Sequence, residues 1–589
     1  MFKRVMSATG LSILVLMAFN FADGAINGSH SLSNVFFRAQ DLPILGAMTM
    51  LAAFSLSRAP GRDAGPTALL SRWSAGPLMR RVLEPDRSLV WVIALAAACG
   101  VVAWIGTGLV FHAYPLSMDE FMADFDASII ARGHLLAAVA PAWQADLPAL
   151  GPQFLFHPEG GAYWVSSYLP VNAALRALGN QIGARSLVSP LLAVTAIIAV
   201  FGVGRRLWPD RPQIAWFAAI MLATSSQFLI TAMTPYAMTA HLAFNLVWLW
   251  LFLIDRRWSH LSAIVVGALA CGLHQLIFHP LFVAPFIGQL WLDRRWRLAA
   301  VYTLAYAAIG LFWLDYTSFA LKTVAAVVGR STDANPQGGT AWVVVQIHAL
   351  LGNFKPAAIG ILAKNLIRFI TWQNLIVCPL LVIGAVAAVR AKGMPRALIL
   401  GLALTLVAAL SLMAYQGHGW GYRYIHGLLG SACLLAAWTW ASMAERADAA
   451  DRGAAGTMFL MFTLVSALVL FPVRAWQAHA FARPYAAAGA EIQRAKTPIV
   501  IVDDAGIWFG VDFVRNGPFL DHRPLVLYRG LVGEPRLREL CARYAVTLFD
   551  RRDAERLGVP TFAEPSARPP LDFGRRLADL KCQVTRSGP

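Results

Sequence analysis

Two adjacent carboxylates, Asp119 and Glu120, stand just after residues 89–110, an apolar run long enough to cross a membrane. A carboxylate at the mouth of a helix bundle can act as a general base that takes a proton from a hydroxyl or an amine. Ser117 and Glu120 also have the spacing of a capping box before the apolar-periodic residues 121–139, which accounts for Glu120 but not for Asp119. Asp119 is therefore the candidate catalytic base, with Glu120 beside it. The alternative is a first-turn carboxylate that only interacts with the helix dipole.

A second unusual segment, residues 415–426, reads Tyr-Gln-Gly-His-Gly-Trp-Gly-Tyr-Arg-Tyr-Ile-His and lies between two apolar runs. Its alternating glycines would let backbone amides approach a ligand closely. Arg423, its only Lys or Arg, can hold a phosphate through two parallel hydrogen bonds. We take Arg423 and Tyr424, with His418 and His426, as candidates for binding a lipid phosphate. The alternative is an aromatic and cationic turn that anchors the chain at head-group depth.

Three further polar residues, Tyr236, His274 and His279, lie near turns on the same predicted side of the membrane. The spacing of His274 and His279 does not put them on one helical face, and no Cys or Glu completes a metal site. Packed or interfacial histidines are the simpler interpretation, but polar residues at this depth often line a cavity, so all three stay candidate substrate-binding residues. No cofactor is indicated, and dependence on a divalent metal ion stays open.

The elements that must position these residues are membrane helices. The chain has 589 residues, of which 58% are hydrophobic and 14% charged, with a mean hydropathy of +0.57. A soluble protein carries roughly 25% charged residues, so most of this surface must face lipid. The formal charge of +17 could indicate nucleic-acid binding. Most Lys and Arg residues instead follow apolar runs, where they contact lipid head groups, so no nucleic-acid partner is expected.

Thirteen apolar segments are candidate spans, although the first could be a signal peptide. They are residues 6–21, 43–57, 89–110, 187–204, 214–230, 239–254, 261–277, 278–292, 298–314, 375–389, 397–414, 428–443 and 458–473. Basic clusters mark alternate crossings at Arg206, Arg257, Arg295 and Arg390. The positive-inside tendency puts those clusters in the cytoplasm. The same tendency puts the loop 111–185, the turn 415–427 and the tail from 474 outside it.

The C-terminal tail, residues 474–589, differs in composition from the rest of the chain. Its short apolar runs predict strands at 498–503, 524–528 and 545–549, and a helix at 535–543. Roughly 100 residues suffice for a small α/β module with its own core. The tail contains Cys541 and Cys582, for which a disulfide and two free thiols are equally open.

The fold class predicted is an all-α polytopic membrane bundle of about 13 transmembrane helices with a small extracytoplasmic α/β domain. Residues 1–87 would form two membrane helices and a basic cytoplasmic loop. Residues 88–473 would form the membrane core with the outer loop 111–185, and residues 474–589 the α/β domain.

The first outer loop resembles that of GT-C superfamily glycosyltransferases, which include protein O-mannosyltransferases and bacterial aminoarabinose transferases. The similarity rests on the Asp119-Glu120 pair, on Ile-Ile-Ala-Arg-Gly-His-Leu-Leu (129–136) and on Tyr-Trp-Val-Ser-Ser-Tyr-Leu-Pro (163–170). It continues through the motifs at 184–187, 204–208 and 222–229. The family position that matches Asp119 is the catalytic acid/base. Related transferases also carry an Arg-Tyr pair near a late outer loop, which favours carrier-phosphate binding by Arg423 and Tyr424.

The resemblance implies a cell-envelope enzyme, in the inner membrane of a bacterium, that transfers a sugar from a polyprenyl-phosphate carrier to a glycan, lipid or protein acceptor. Transfer by single displacement at the anomeric carbon inverts that carbon and needs one essential carboxylate. A transporter or flippase, and a polymerase or ligase of lipid-linked glycans, are the alternatives. The sequence shows no matched, broken-helix halves of the kind that transporters carry. Sugar and acceptor are not readable from the sequence.

Overall fold

The computed structural model describes residues 35–57, 85–156, 162–328, 357–413, 415–562, 573–580 and 582–586, besides two isolated residues near the N-terminus. The predicted first span (6–21) and the interior of the predicted basic loop lie outside the described residues. So does most of residues 342–362, for which the sequence leaves re-entry into the membrane and a pair of extra spans both open.

The described part of the chain is mainly helical. Its longer α-helices are Leu42–Ser57, Pro85–Leu109, Met118–Ala131, Val171–Gln181, Val188–Leu207, Pro212–Ala223, Met238–Ile254, Arg257–Cys271, Phe278–Leu292, Trp296–Val328, Ala357–Trp372, Val377–Arg390, Met394–Leu412, Leu429–Glu445, Ala449–Val465, Phe471–Gln493 and Glu534–Arg543. Shorter ones are Leu147–Leu150, Ser226–Thr231, Arg551–Arg556 and Phe573–Asp579. We call Met118–Ala131, which carries the acidic pair, the loop helix.

Six described helices are long and apolar enough to cross a membrane. They are Ser88–Leu109, Arg185–Leu207, Trp296–Val324, Met394–Leu412, Arg423–Glu445 and Ala455–Gln493. A seventh candidate is the pair Ala358–Trp372 and Val377–Arg390, which meet at 116°, and three shorter apolar helices accompany them. Leu304 and Leu311 on Trp296–Val324 are largely exposed, as lipid-facing side chains are. The chain is thus a multi-pass membrane protein, and the count of thirteen spans stays a prediction.

Three predicted boundaries were wrong. The apolar run 214–230 is two helices, because Ser225 interrupts it and its hydroxyl accepts a hydrogen bond from the Phe228 amide, capping Ser226–Thr231. The run 298–314 extends to Val328. The last span does not end at 473, because it continues through the π-helical turn Ser466–Leu470 into Phe471–Gln493.

The tail contains a four-stranded parallel sheet, here called the tail sheet, with the order Leu525–Tyr528, Ile499–Val502, Val546–Phe549 and Val584–Arg586. The first three strands and the helix Glu534–Arg543 lie where the sequence predicts them. The short strand at 584–586 was not predicted. Cys541 and Cys582 form a disulfide, which settles the alternative left open by the sequence.

The tail sheet does not have a core of its own. Ile501 and Leu527 pack in one cluster with Met122 of the loop helix. Val500 and Val502, on the other face, join the main cluster of the membrane helices. A parallel sheet is normally covered on both faces, and here the rest of the chain supplies both covers. The sheet is therefore part of the framework that holds the loop helix.

The remainder of the outer loop brings a second segment beside the loop helix. Tyr163–Ser166 pairs antiparallel with Ala137–Ala138 and with Leu155–Phe156. The helix Val171–Gln181 follows and packs on the loop helix. Tyr168 lies in the short link between strand and helix, close to the start of the loop helix.

Candidate active site

The loop helix begins at the predicted N-cap. The Ser117 hydroxyl accepts a hydrogen bond of 3.4 Å from the Glu120 amide and donates one of 2.8 Å to the Tyr236 hydroxyl. The return bond of the predicted capping box differs by one residue, because the Glu120 carboxylate accepts from the Leu116 amide, at 2.6 Å, and not from the Ser117 amide. The cap fixes the direction in which Asp119 leaves the helix.

Asp119 contacts two residues that are distant in sequence. Its Oδ2 lies 2.5 Å from Nη1 of Arg423, and the Tyr168 hydroxyl donates a hydrogen bond to its Oδ1. The side chains of Asp119 and Arg423 are only 8% and 17% exposed. Burial alone would raise the pKa of Asp119, but Arg423, His274 and the Tyr168 hydrogen bond together hold it below its usual value. Asp119 is therefore ionised at neutral pH.

Glu120 has the opposite environment. Its side chain is fully buried, and its Oε1 has no hydrogen-bond partner among the described residues. Burial raises the pKa of Glu120 to about 8, against the lowering effect of the Leu116 amide. Glu120 is thus mostly protonated at neutral pH. When two neighbouring carboxyl groups differ in this way, their environments assign the roles, and only Asp119 is available as a base.

The glycine turn, residues 415–427, holds Arg423 from behind. The Arg423 amide donates to Oε1 of Gln416 at 3.0 Å, and Gln227 bonds both the amide and the carbonyl of Tyr422. Gly421 has φ +71°, and a Cβ there would lie 2.4 Å from Oε1 of Gln227. The sequence predicts that these glycines expose amides to a ligand, whereas the Tyr422 and Arg423 amides bond to protein side chains. Gly421 instead permits close packing on Gln227.

The guanidinium of Arg423 keeps an unused donor. Its Nε is buried and has no hydrogen-bond partner among the described residues, while Nη1 holds Asp119. The guanidinium carbon lies 5.3 Å from the centre of the Tyr424 ring and 5.9 Å from that of Tyr236. A planar guanidinium held in this way can bind an additional anion through Nε without leaving Asp119.

Two predicted histidines lie next to this pair. His274 stacks on Tyr168 with ring centres 4.0 Å apart, and Nδ1 of His418 is 3.4 Å from the Tyr236 hydroxyl. Burial lowers the pKa of His274 to about 4, which outweighs the raising effect of Asp119. Burial also lowers the pKa of His418 to about 3. Both rings are neutral at physiological pH and act as hydrogen-bonding or stacking groups rather than as charges.

The other two predicted histidines have different surroundings. The ring nitrogens of His279 contact Asn245 and Tyr306, each at 2.7 Å. His426 is fully buried, and its Nδ1 lies 3.4 Å from the amide nitrogen of Gln227. The described contacts of His279 and His426 do not join either residue to Asp119 or Arg423. Their surroundings are those of packed histidines, which is the simpler interpretation that the sequence gives for His279.

A buried ion cluster supports the far side of the glycine turn. Arg368 donates to the carbonyl of Gly419 at 2.9 Å and lies 3.4 Å from Asp41. Asp41 also pairs with Arg474 at 3.0 Å, and both of these side chains are fully buried. Arg474, expected to open the polar tail, therefore belongs to the membrane core. The cluster connects the helix that starts at Leu42 to the turn that presents Arg423.

The tail also contacts the start of the loop helix. Oδ2 of Asp512 accepts a hydrogen bond from the Met118 amide at 3.2 Å. Arg515 donates to the Leu116 carbonyl at 2.9 Å and stacks 4.2 Å from the centre of the Tyr114 ring. Sequence reasoning missed these contacts, and it quoted Tyr168 only as part of a motif. Spacing carries no signal for them, because each joins segments far apart in the chain.

No group of three or more His, Cys, Asp or Glu residues in the described part of the chain is placed to hold a metal ion. The arrangement offers one ionised carboxylate, one guanidinium with a spare donor, two neutral histidines and a tyrosine. Such a set can remove a proton from one reactant and stabilise negative charge on another.

No protein-family model and no curated protein matches the chain. Its fold is similar to that of ArnT from Cupriavidus metallidurans bound to undecaprenyl phosphate, with 13% identity, 73% of this chain and 85% of that chain covered, and a TM-score of 0.44. A second similar structure is the archaeal oligosaccharyltransferase AglB from Archaeoglobus fulgidus, in complex with an inhibitory peptide and a dolichol-phosphate. The identity is 14%, the match covers 70% of this chain and 58% of that chain, and the TM-score is 0.41. A third is the arabinofuranosyltransferase AftD from Mycobacteria, with 13% identity, 73% of this chain and 30% of that chain covered, and a TM-score of 0.29.

These three neighbours are GT-C superfamily glycosyltransferases, the superfamily that the loop motifs resemble. At such identities and TM-scores the similarity concerns the course of the chain alone. What the site does must follow from its own residues.

Proposed function

We propose that the chain is a membrane glycosyltransferase that moves a sugar from a polyprenyl-phosphate carrier to an acceptor. One observation carries the proposal. An ionised, nearly buried Asp119 is paired at 2.5 Å with Arg423, which follows it 304 residues later in the chain. Transfer from a phosphate carrier needs a base for the acceptor and a cation for the leaving phosphate, and this pair supplies both.

The reaction is a single displacement at the anomeric carbon. Asp119 takes the proton from the acceptor hydroxyl or amine while that atom forms its bond to the sugar. The bond between the sugar and the phosphate oxygen breaks, and the phosphate leaves with the electron pair. Arg423 neutralises the charge that develops on it. Attack from the side opposite the leaving group inverts the anomeric carbon.

The pairing of Asp119 with Arg423 bears on the timing of proton transfer. Arg423 is the strongest of the influences that lower the pKa of Asp119. A phosphate that binds to Arg423 brings a compensating negative charge, so the pKa of Asp119 rises and the carboxylate becomes a stronger base. The base would thus reach full strength only when a donor is present.

The surrounding side chains orient the Asp119 carboxylate and form the walls of the site. Tyr168 holds one oxygen of Asp119, and His274 stacks on Tyr168. Tyr236 and His418 border the other side, and Nε2 of His418 is buried without a hydrogen-bond partner among the described residues. We propose that Nε2 of His418 forms a hydrogen bond with a hydroxyl group of the bound sugar.

We further propose that the site faces the extracytoplasmic side of a bacterial inner membrane. The Arg clusters at alternate crossings support this orientation. The Cys541–Cys582 disulfide supports it independently, because disulfides persist in oxidising compartments and are rare in the cytosol. The tail and the loop helix pack together, so they must lie on the same side.

The decisive experiment offers the purified protein, reconstituted in lipid nanodiscs, a panel of polyprenyl-phosphate sugars with candidate acceptors. Chromatography would follow glycosylated product and released polyprenyl phosphate together. Asp119→Asn should abolish release of the carrier, whereas the matched control Asp521→Asn, at an exposed ion pair with Arg132, should not. In proteoliposomes, movement of intact donor across the bilayer without cleavage would replace the proposal by a flippase. Binding with neither cleavage nor movement would refute enzymatic function.

A further inference from the structure

A second polar cavity lies beside the loop helix, away from Asp119. It is a cleft of about 400 Å³ between the end of Pro85–Leu109, the start of Val188–Leu207 and the turn at 233–235. Its lining includes Thr107, Phe111, Arg176, Arg185, Ser189 and Met233. Asp124 of the loop helix also reaches it. Five residues separate Asp124 from Asp119, which puts the two side chains about 140° apart around the helix, so the cleft and the Asp119 site lie on different sides.

The charges of the cleft do not cancel. Asp124 is fully engaged by Arg185, which contacts both of its carboxylate oxygens. Arg176 has no carboxylate hydrogen-bond partner in the part of the chain that the structure describes, and its Nη2 donates to the Ser189 hydroxyl at 2.7 Å. Its side chain is only 4% exposed, and its Nε has no hydrogen-bond partner among the described residues. One excess positive charge therefore remains, nearly buried, in the wall of the cleft.

Such a group is costly unless an anion compensates it. Burying a charged group without a partner is unfavourable, and an unsatisfied buried donor adds a smaller unfavourable contribution. The described fold keeps the position nonetheless and leaves open space in front of it. A guanidinium with a free Nε beside a hydroxyl matches the oxygens of a phosphate better than those of a neutral group.

The position of the cleft identifies the source of the phosphate. It opens where one candidate span, Ser88–Leu109, ends and another, Arg185–Leu207, begins. This is the boundary layer in which lipid head groups lie, so a basic pocket there is within reach of an anionic head group. Phe111 and Met233 provide apolar wall for the first part of an acyl or prenyl chain.

We propose that this cleft binds the phosphate of an anionic membrane amphiphile, with Arg176 and Ser189 as its ligands and Arg185 at the entrance. The inference does not depend on the role of Asp119, because the two sites share no residue. A phosphodiester lipid with a single negative charge matches the single excess positive charge.

The test measures binding of soluble short-chain probes to the detergent-purified full chain at low salt by microscale thermophoresis. Dihexanoyl phosphatidylglycerol is the anionic probe, and dihexanoyl phosphatidylcholine is the zwitterionic one. Arg176→Gln should weaken binding of the anionic probe about tenfold or more, the equivalent of one charge-assisted hydrogen bond. The matched control Arg132→Gln, at an exposed arginine outside the cleft, should stay within about twofold on the same scale.

Thermal unfolding without probe shows first whether Arg176→Gln folds. If it does not, Arg176→Lys, which keeps the charge, should retain binding, and Arg185→Gln, at the exposed entrance, should weaken it. Equal binding of the anionic probe to Arg176→Gln and wild type would overturn the site. Equal binding of both lipids to wild type would overturn the charge argument. Displacement of the anionic probe by an equal concentration of inorganic phosphate would overturn the lipid source and leave free phosphate as the ligand.

Discussion

Asp119→Asn should change donor binding and sugar transfer in opposite directions. Asp119 occupies Nη1 of Arg423, at 2.5 Å, whereas Nε of Arg423 has no hydrogen-bond partner among the described residues. A carrier phosphate can bind Nε while Asp119 keeps Nη1, but it gains a second hydrogen bond, from Nη1, only by displacing Asp119. Asparagine keeps the shape, but its single oxygen can replace only one of the two carboxylate oxygens that accept from Tyr168 and Arg423, it carries no charge, and it cannot take a proton.

The size of both effects follows from the contacts. A hydrogen bond to a charged group contributes about 1.5–3 kcal/mol, so release of Arg423 should tighten donor binding about tenfold. Loss of the base should lower the transfer rate about 10²- to 10⁴-fold. The variant also leaves a mostly buried guanidinium without its counter-charge. That should cost about 1–3 kcal/mol of stability, less than for a fully buried pair, because Arg423 is 17% exposed.

The assay uses a polyprenyl phosphonate sugar, which binds like the donor but cannot be cleaved, and compares its dissociation constant with the single-turnover rate of the natural donor. Asp521→Asn serves as the control, because its partner Arg132 is exposed and lies at the far end of the loop helix. Weaker binding of the phosphonate to Asp119→Asn would mean that Arg423 does not hold the phosphate. Transfer at the wild-type rate would remove Asp119 from the mechanism.

Four further outcomes are expected. Arg423→Lys should lose nearly as much donor affinity as Arg423→Ala, because an ammonium cannot reproduce the bidentate fork; a Lys variant with wild-type affinity would leave only membrane anchoring. Glu120→Gln should keep the transfer rate within a few-fold of wild type. The unfolding free energy of wild type should fall as pH rises from about 4.5 to about 8, and this fall should be absent in Glu120→Gln. An unchanged pH profile in the variant would contradict the buried acid. Asp512→Ala should lower kcat with donor affinity unchanged, and Asp512→Asn, which keeps an acceptor for the Met118 amide, should restore it; equal loss in both would exclude this positioning role. Removing the Cys541–Cys582 disulfide should lower the unfolding free energy of the tail by about 3–4 kcal/mol for its closed loop, and no shift in thermal unfolding would contradict that.

The parts of the fold that the sequence predicts are those set by local pattern. The strand at Ile499–Val502 is a continuous apolar run that ends at Asp503, and short runs of this kind are typical of buried parallel strands. The cap at Ser117 is likewise local, because the serine, the acidic first turn and the apolar run lie within one stretch of chain. The break inside 214–230 was missed because hydropathy averages over the window, while the cap at Ser225 acts on single amides.

The residues of the candidate site can be singled out from the sequence, but the contacts between them cannot. Asp119 and Arg423 were each singled out from their own neighbourhoods in the sequence. Their pairing joins the loop helix to the glycine turn, which are 304 residues apart in the chain. Nothing in spacing distinguishes Arg423, which meets a carboxylate, from His426, which packs inside three residues later. The charge states of the acidic pair also depend on tertiary burial, since neighbours in sequence differ in what surrounds them.

The difference between those two carboxyl groups explains why the tail belongs to the site although it contributes no group to the proton transfer. Glu120 is protonated because it is buried, although the Leu116 amide and Arg515 lower its pKa, and Arg515 and Asp512 of the tail hold Leu116 and Met118 beside it. If this contact opened, water would reach Glu120, its pKa would fall, and a second negative charge would appear next to Asp119. Arg423 would then be shared between two carboxylates and would hold a phosphate less well. The tail would thus help to keep the charge of the site at one carboxylate and one guanidinium, the balance that the proposed phosphate binding and proton removal require.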